Sequence, residues 1–235
     1  MQASENPKAG LRQVLKILEK HYGRPKPPAV TDPLGLILLE NVVYLANDER
    51  RAAAFAELKK RVGAKAEKIL AASDETLLAI TRMGSIVPEL SVQKLRKVAE
   101  IAKNIFSGNL RSVLKKPYRE AMNDMKRFPG IGDPGAEKIL LFGRSQRILA
   151  LDSNGLRVLR RLGFSEDKKN YSATYRAAQE AVKDQIPKDF DGLIRAYILL
   201  RQHGKELCKN SRPLCEKCPL QLDCKYFESA YRSSA

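Results

Sequence analysis

The chain contains no apolar run near bilayer length. Its longest, such as Leu36–Leu39, fall far short of the ~20 residues a spanning helix needs. Met1–Lys20 is polar and lacks an h-region, so no secretory signal is expected and the chain reads as intracellular, in cytoplasm or nucleoid. Sustained alternation of apolar and polar residues is missing, which argues against half-buried strands. There is no internal repeat and no low-complexity tract. No cysteine precedes residue 208. Acidic residues are in deficit: 27 Asp and Glu face 43 Lys and Arg, a formal net charge of +16.

What is present is a chain of 235 residues, 43% hydrophobic, long enough for one large domain or two modest ones. The charge excess on a folding composition points to a polyanionic partner, because net charge governs association more than fold. Single blocks such as Lys59-Lys60-Arg61 and Arg160-Arg161 read as solvated helix faces; the summed charge does not. The blander reading is a ribosome-associated or simply well-solvated basic protein.

The hydrophobic period is helical. Leu11, Val14, Leu15 and Leu18 recur at helical spacing, and Leu95, Val98, Ala99 and Ala102 repeat the pattern. Gly and Pro fall between the periodic stretches, which predicts about ten helices joined by short turns, an all-α fold. Arg24-Pro25-Lys26-Pro27-Pro28 reads as a linker after the first helix. The last 28 residues change character, with every cysteine and little helical period, so two lobes are expected.

Cys208, Cys215, Cys218 and Cys224 form a C-x6-C-x2-C-x5-C pattern. Two disulfides fit poorly in a chain without an export signal. Four thiolates on short loops suit a tetrahedral zinc or one [4Fe–4S] cluster, and both remain open on spacing. Either would staple a segment that buries little apolar surface. The intervening loop carries Lys209 and Arg212, a basic finger suited to a phosphate backbone.

Phe128-Pro129-Gly130-Ile131-Gly132 lies between two helical patterns, Tyr118–Arg127 and Pro134–Phe142. Two glycines two apart permit positive φ and close backbone approach. Asp133 reads as the N-cap of the second helix and Pro134 as its first turn. Main-chain amides of Gly130 and Gly132 could then hold an anionic oxygen, as could an ordinary tight turn with no ligand at all. Asp152, within Leu151-Asp152-Ser153-Asn154-Gly155, opens a basic helix. It is either a plain helix cap or a carboxylate that orients water and stabilises an oxocarbenium-like sugar.

The order of hairpin, aspartate and cysteine tail resembles the helix–hairpin–helix DNA glycosylases of endonuclease III type. The matching stretches are Phe128–Leu140, Ile148–Leu162 and His203-Gly204 through Cys224, with a weaker match at Asp32–Val62. The resemblance implies a six-helix barrel over 29–141 and a second lobe from 1–28 and 142–235 carrying a [4Fe–4S] cluster on the four cysteines. It implies an active cleft between the lobes and a damaged or mismatched base flipped out of double-stranded DNA. Asp152 becomes the catalytic aspartate, and Phe128, Gly130, Ile131 and Gly132 the DNA-holding hairpin.

Two departures from the family pattern stand out. Bifunctional members carry a Schiff-base lysine two residues after the second hairpin glycine. Here that residue is Pro134, so a monofunctional enzyme is expected; the alternative is a bifunctional one using another lysine, with Lys138, four residues on along the same helical face, as the stand-in nucleophile. Where the family often places a gap-filling Gln, this chain has Leu45, a core leucine or an apolar wedge. Tyr44 and Asn47 beside it are candidates for the base pocket. A monomer is expected. The competing readings are a non-catalytic DNA-binding protein on the same scaffold and a zinc-stabilised RNA-binding helical protein.

Overall fold

A computed structural model describes residues 7–232; it is 65% helical, with no strand among the described residues. The all-α expectation holds. Eleven α-helices of six residues or more follow one another. The first is α1 (Leu11–Tyr22), followed by α2 (Pro33–Asn41), α3 (Asp48–Arg61), α4 (Ala66–Ala71) and α5 (Asp74–Thr81). Then come α6 (Pro88–Phe106), α7 (Tyr118–Met125), α8 (Asp133–Phe142), α9 (Ser153–Leu162), α10 (Tyr171–Val182) and α11 (Phe190–Glu206). None is long and apolar enough to cross a membrane.

The chain divides into two compact units, Pro28–Gln146 on one side and Met1–Pro27 with Arg147–Ala235 on the other. The first crossing falls in the proline-rich segment. The second lies beyond residue 141, the boundary read from the sequence. That boundary would cut α8 before its last residue. The chain stays in the first unit because Ser145 Oγ donates to the Leu114 carbonyl at 2.6 Å and Gln146 Nε2 to that of Lys116 at 3.3 Å.

The Pro28–Gln146 unit is built around α2, whose Leu34, Leu36, Ile37 and Leu38 are all buried. A helix apolar all round belongs in a core, and α2 lies among α3, α6 and α8. It starts at Asp32, whose Oδ2 accepts from the Gly35 amide at 2.9 Å, with Pro33 pre-set for the first turn. α6 buries Leu95, Val98, Ala99 and Ala102 against α4 and α5. From α6, Arg96 donates to the carbonyls of Ile69, Leu70 and Ala72, satisfying the open C-terminal end of α4.

In the other unit, α1 packs its Leu11, Val14 and Leu18 stripe on α11. α9 buries Leu156, Val158, Leu159 and Leu162. Each such side chain contributes on the order of 1.5–3 kcal/mol. α9 and α11 cross closely at Gly204, where an added Cβ would stand 2.6 Å from the Asn154 carbonyl oxygen. No other residue type fits there without moving backbone. That crossing brings the start of α9, with Asp152 and Asn154, against α11.

Candidate active site

The hairpin between α7 and α8 has Gly130 at φ +73°, in the left-handed region where a Cβ is strained. Gly132 sits in extended backbone (φ −93°, ψ −171°), and a Cβ there would meet nothing nearer than Pro134 Cδ at 4.0 Å. Gly132, not Asp133, is the N-cap of α8. Asp133 is already helical and pairs with Lys126 at 3.0 Å. The cap therefore brings no side chain of its own to the first amides. Among the described residues neither glycine amide has an internal acceptor. Open amides on a helix N-terminus form an anion seat. Phe128 and Ile131 bury their side chains, at 2% and 5% exposure, so these two shape the hairpin and can meet a ligand only through main chain. Asn41, at the end of α2, holds the hairpin in place: its Nδ2 donates to the Ile37 and Pro129 carbonyls at 2.9 and 3.0 Å.

Lys138 lies one turn into α8 with 14% of its side chain exposed, ion-paired to Glu40. Arg51 Nη1 lies 3.7 Å from the same glutamate. A nucleophilic lysine needs a free amine; this one is bound to a carboxylate.

Leu45 is no core residue. It is 68% exposed at φ +56°. Around it stands a loop the sequence reading passed over: Ile86 is 65% exposed, its amide donates to the Tyr44 carbonyl at 3.4 Å, and Ser85 Oγ accepts from the Tyr44 amide at 3.2 Å. Tyr44 lies under Lys94, whose Nζ is 4.3 Å from the ring centroid. Asn47 caps α3, its Oδ1 accepting from the Arg50 amide at 2.9 Å.

Asp152 is the N-cap of α9, and its Oδ1 accepts from the Gly155 amide at 2.8 Å. Oδ2 takes Asn154 Nδ2 at 2.9 Å and Arg201 Nε at 3.0 Å. Both readings of Asp152 therefore survive in one group, because an ionised carboxylate offers about four acceptor sites and a cap uses one. Asn154 Oδ1 in turn accepts from Arg157 Nη2 at 2.9 Å, while Arg157 Nε donates to the Cys208 carbonyl at 2.8 Å. Burial holds the Arg157 pKa below its ordinary value despite the favourable charges of Cys208 and Asp152. Tyr171 is half exposed, and burial together with the charge of Asp152 raises its phenol.

The four cysteines are unbridged and half-buried, and all four line one cavity walled by Leu162, Leu207 and Leu220. Burial, with added repulsion from the other thiols, pushes Cys218 up to about 12 and Cys224 upward as well. Thiolates in such a place need a cationic centre. Arg161 Nη1 donates to Cys208 Sγ at 3.4 Å and to the Lys209 carbonyl at 2.6 Å. Lys209 and Arg212 are exposed on the following loop, Arg212 at φ +53°.

The family model of the HhH-GPD superfamily base excision DNA repair proteins matches residues 46–184. Endonuclease III of Thermotoga maritima is 27% identical over 139 residues, 57% of this chain and 58% of that relative, so the match spans little more than half its length. Endonuclease III of Sulfolobus acidocaldarius is 27% identical over 195 residues, 83% of this chain and 80% of that one. Among solved structures, a trapped covalent intermediate of endonuclease III with DNA superposes at a TM-score of 0.73 and 16% identity, covering 94% of this chain and 99% of that one, which establishes the shared fold. The chain belongs to the HhH-GPD superfamily of base excision DNA repair proteins and is a DNA glycosylase of the endonuclease III type.

Proposed function

We propose that the protein acts as a monomer on double-stranded DNA and hydrolyses the N-glycosidic bond of a damaged or mismatched base, with water as the nucleophile. The observation that carries the hydrolytic reading is the state of the two candidate lysine positions: Pro134 has no amine, and Lys138 is held by Glu40. In this reading the Gly130 and Gly132 amides take a backbone phosphate without reading sequence. Leu45 enters the stack beside the everted nucleotide, supported by the exposed Ile86. Asp152 orients the water and stabilises positive charge on the sugar as the base departs. The Lys209–Arg212 loop adds phosphate contacts.

Cys208, Cys215, Cys218 and Cys224 would hold a [4Fe–4S] cluster. The fit rests on four half-buried thiols lining one cavity. Held by these four thiolates, the cluster would cross-link a loop-rich segment.

The test is a panel of duplex oligonucleotides bearing mismatched thymine or uracil, oxidised pyrimidines and alkylated purines, each assayed with and without alkaline strand cleavage. Base release with strand scission only after alkali is expected, and Asp152→Asn should abolish release while duplex affinity holds. Strong borohydride trapping lost in Lys138→Ala would overturn the hydrolytic reading. Tight binding without release from any duplex would leave a non-catalytic DNA-binding protein.

A further inference from the structure

Asp152 carries one contact that neither the helix cap nor the local Asn154 turn requires. Arg201, on α11 and 49 positions along the chain, places Nε 3.0 Å from Oδ2. The two side chains keep 29% and 23% of their surfaces exposed. An exposed ion pair of this kind contributes at most ~1 kcal/mol to stability. Its consequence for the carboxylate is geometric. Asn154 Nδ2 and Arg201 Nε fill Oδ2, and the Gly155 amide takes one side of Oδ1. Of the roughly four acceptor sites of a carboxylate, three are then taken, and the remaining one lies on Oδ1.

We propose that Arg201 is a positioning residue: it locks Oδ2 so that the single open acceptor site of Asp152, on Oδ1, receives the attacking water. This rests on the hydrolytic reading of Asp152 given above. The cap and Asn154 hold the carboxylate only from the first turn of its own helix; Arg201 adds an anchor from another helix and narrows its rotation about Cβ–Cγ. Arg201 Nε meets Oδ2 from a planar guanidinium, so a lysine keeps the charge but cannot keep the geometry entirely.

Single-turnover base release and duplex affinity are measured for wild type, Arg201→Met, Arg201→Lys and Asp152→Asn, on duplexes with thymine or uracil opposite guanine and on the other panel duplexes that wild type opens. Methionine keeps the aliphatic stem that packs on the helix. Arg201→Met is expected to slow release about ten- to a hundredfold, the scale of a small misplacement of a catalytic group. Its dissociation constant for the duplex and its thermal midpoint should stay near those of wild type, and Arg201→Lys should recover part of the rate. A merely structural contact would move the thermal midpoint and leave the rate constant in place. If Arg201→Met fails to fold, Arg201→Gln supplies the neutral variant. Release at the wild-type rate or faster in the neutral variant, with Asp152→Asn inactive, overturns the positioning role and leaves the hydrolytic reading standing. Full turnover in Asp152→Asn, or no release by wild type on any duplex, removes that reading and the inference with it.

Discussion

Leu45 holds a β-carbon in left-handed backbone, a conformation costing roughly 1–2 kcal/mol for a non-glycine residue, and exposes 68% of its surface. Such strain persists only where the surroundings hold it, and here the Tyr44 backbone is tied to Ser85 and Ile86. Glycine would remove the strain but lose more chain entropy on folding, and the two nearly offset. Leu45→Gly is therefore expected to leave unfolding free energy within ~1 kcal/mol of wild type while lowering base release several-fold. Chemical denaturation alongside single-turnover kinetics checks both halves. Asn41 works oppositely, within the fold. Asn41→Ala leaves the part-buried Pro129 carbonyl without its side-chain donor and should cost ~1 kcal/mol, with a matching fall in the denaturation midpoint.

Between α7 and α8 the two hairpin glycines answer to different demands, and substitution separates them. Gly130 is needed for its positive φ, so Gly130→Ala should destabilise by ~1 kcal/mol. Gly132 lies in ordinary extended backbone with open space where its Cβ would go, so Gly132→Ala should fold as well as wild type. If that space is where a phosphate docks, Gly132→Ala loses duplex affinity at full stability. Fluorescence anisotropy with thermal melts distinguishes the two. The crossing of α9 and α11 at Gly204 is less tolerant. A Cβ there meets Asn154 backbone atoms at 2.6 and 2.8 Å, so Gly204→Ala should destabilise by ~1–3 kcal/mol. The same shift would move Asp152 and Arg201 apart, and base release should fall beyond what the lost folded fraction explains.

For the whole molecule, a net charge of +16 makes affinity for duplex steeply dependent on salt. If six or more phosphates are neutralised, the association constant should fall by about three orders of magnitude between 50 and 200 mM salt. A binding isotherm series measures the slope, and charge reversal at Lys209 or Arg212 should shallow it by about one unit each. If the four cysteines hold the proposed cluster, removing it should act on the segment from Cys208 to Cys224 first. Its short turns, Cys215–Lys217 and Gln221–Asp223, bury no residue, and Leu220 between them is the one buried side chain of the segment. Iron chelation should raise proteolytic cleavage within 208–224 before it affects α2 or α6.

Local physics, legible along the chain, accounts for the helical periods, the glycine hairpin, the cap at Asp152 and four closely spaced thiols. Each depends on residues within a turn or two of one another. Even here local detail slipped at Asp133, because an aspartate before a proline is a common cap, and only backbone angles show that Gly132 already fills that place. Tertiary structure alone decided which side chains meet across the chain. Lys138 finds Glu40, 98 positions away; Arg201 finds Asp152; Leu45 stands out beside Ile86. These outcomes follow from how helices pack, and a linear pattern carries no record of which polar residue stands opposite another. A leucine at helical spacing reads the same whether it faces core or solvent, and the turn of the backbone at φ +56° is what points this one outward.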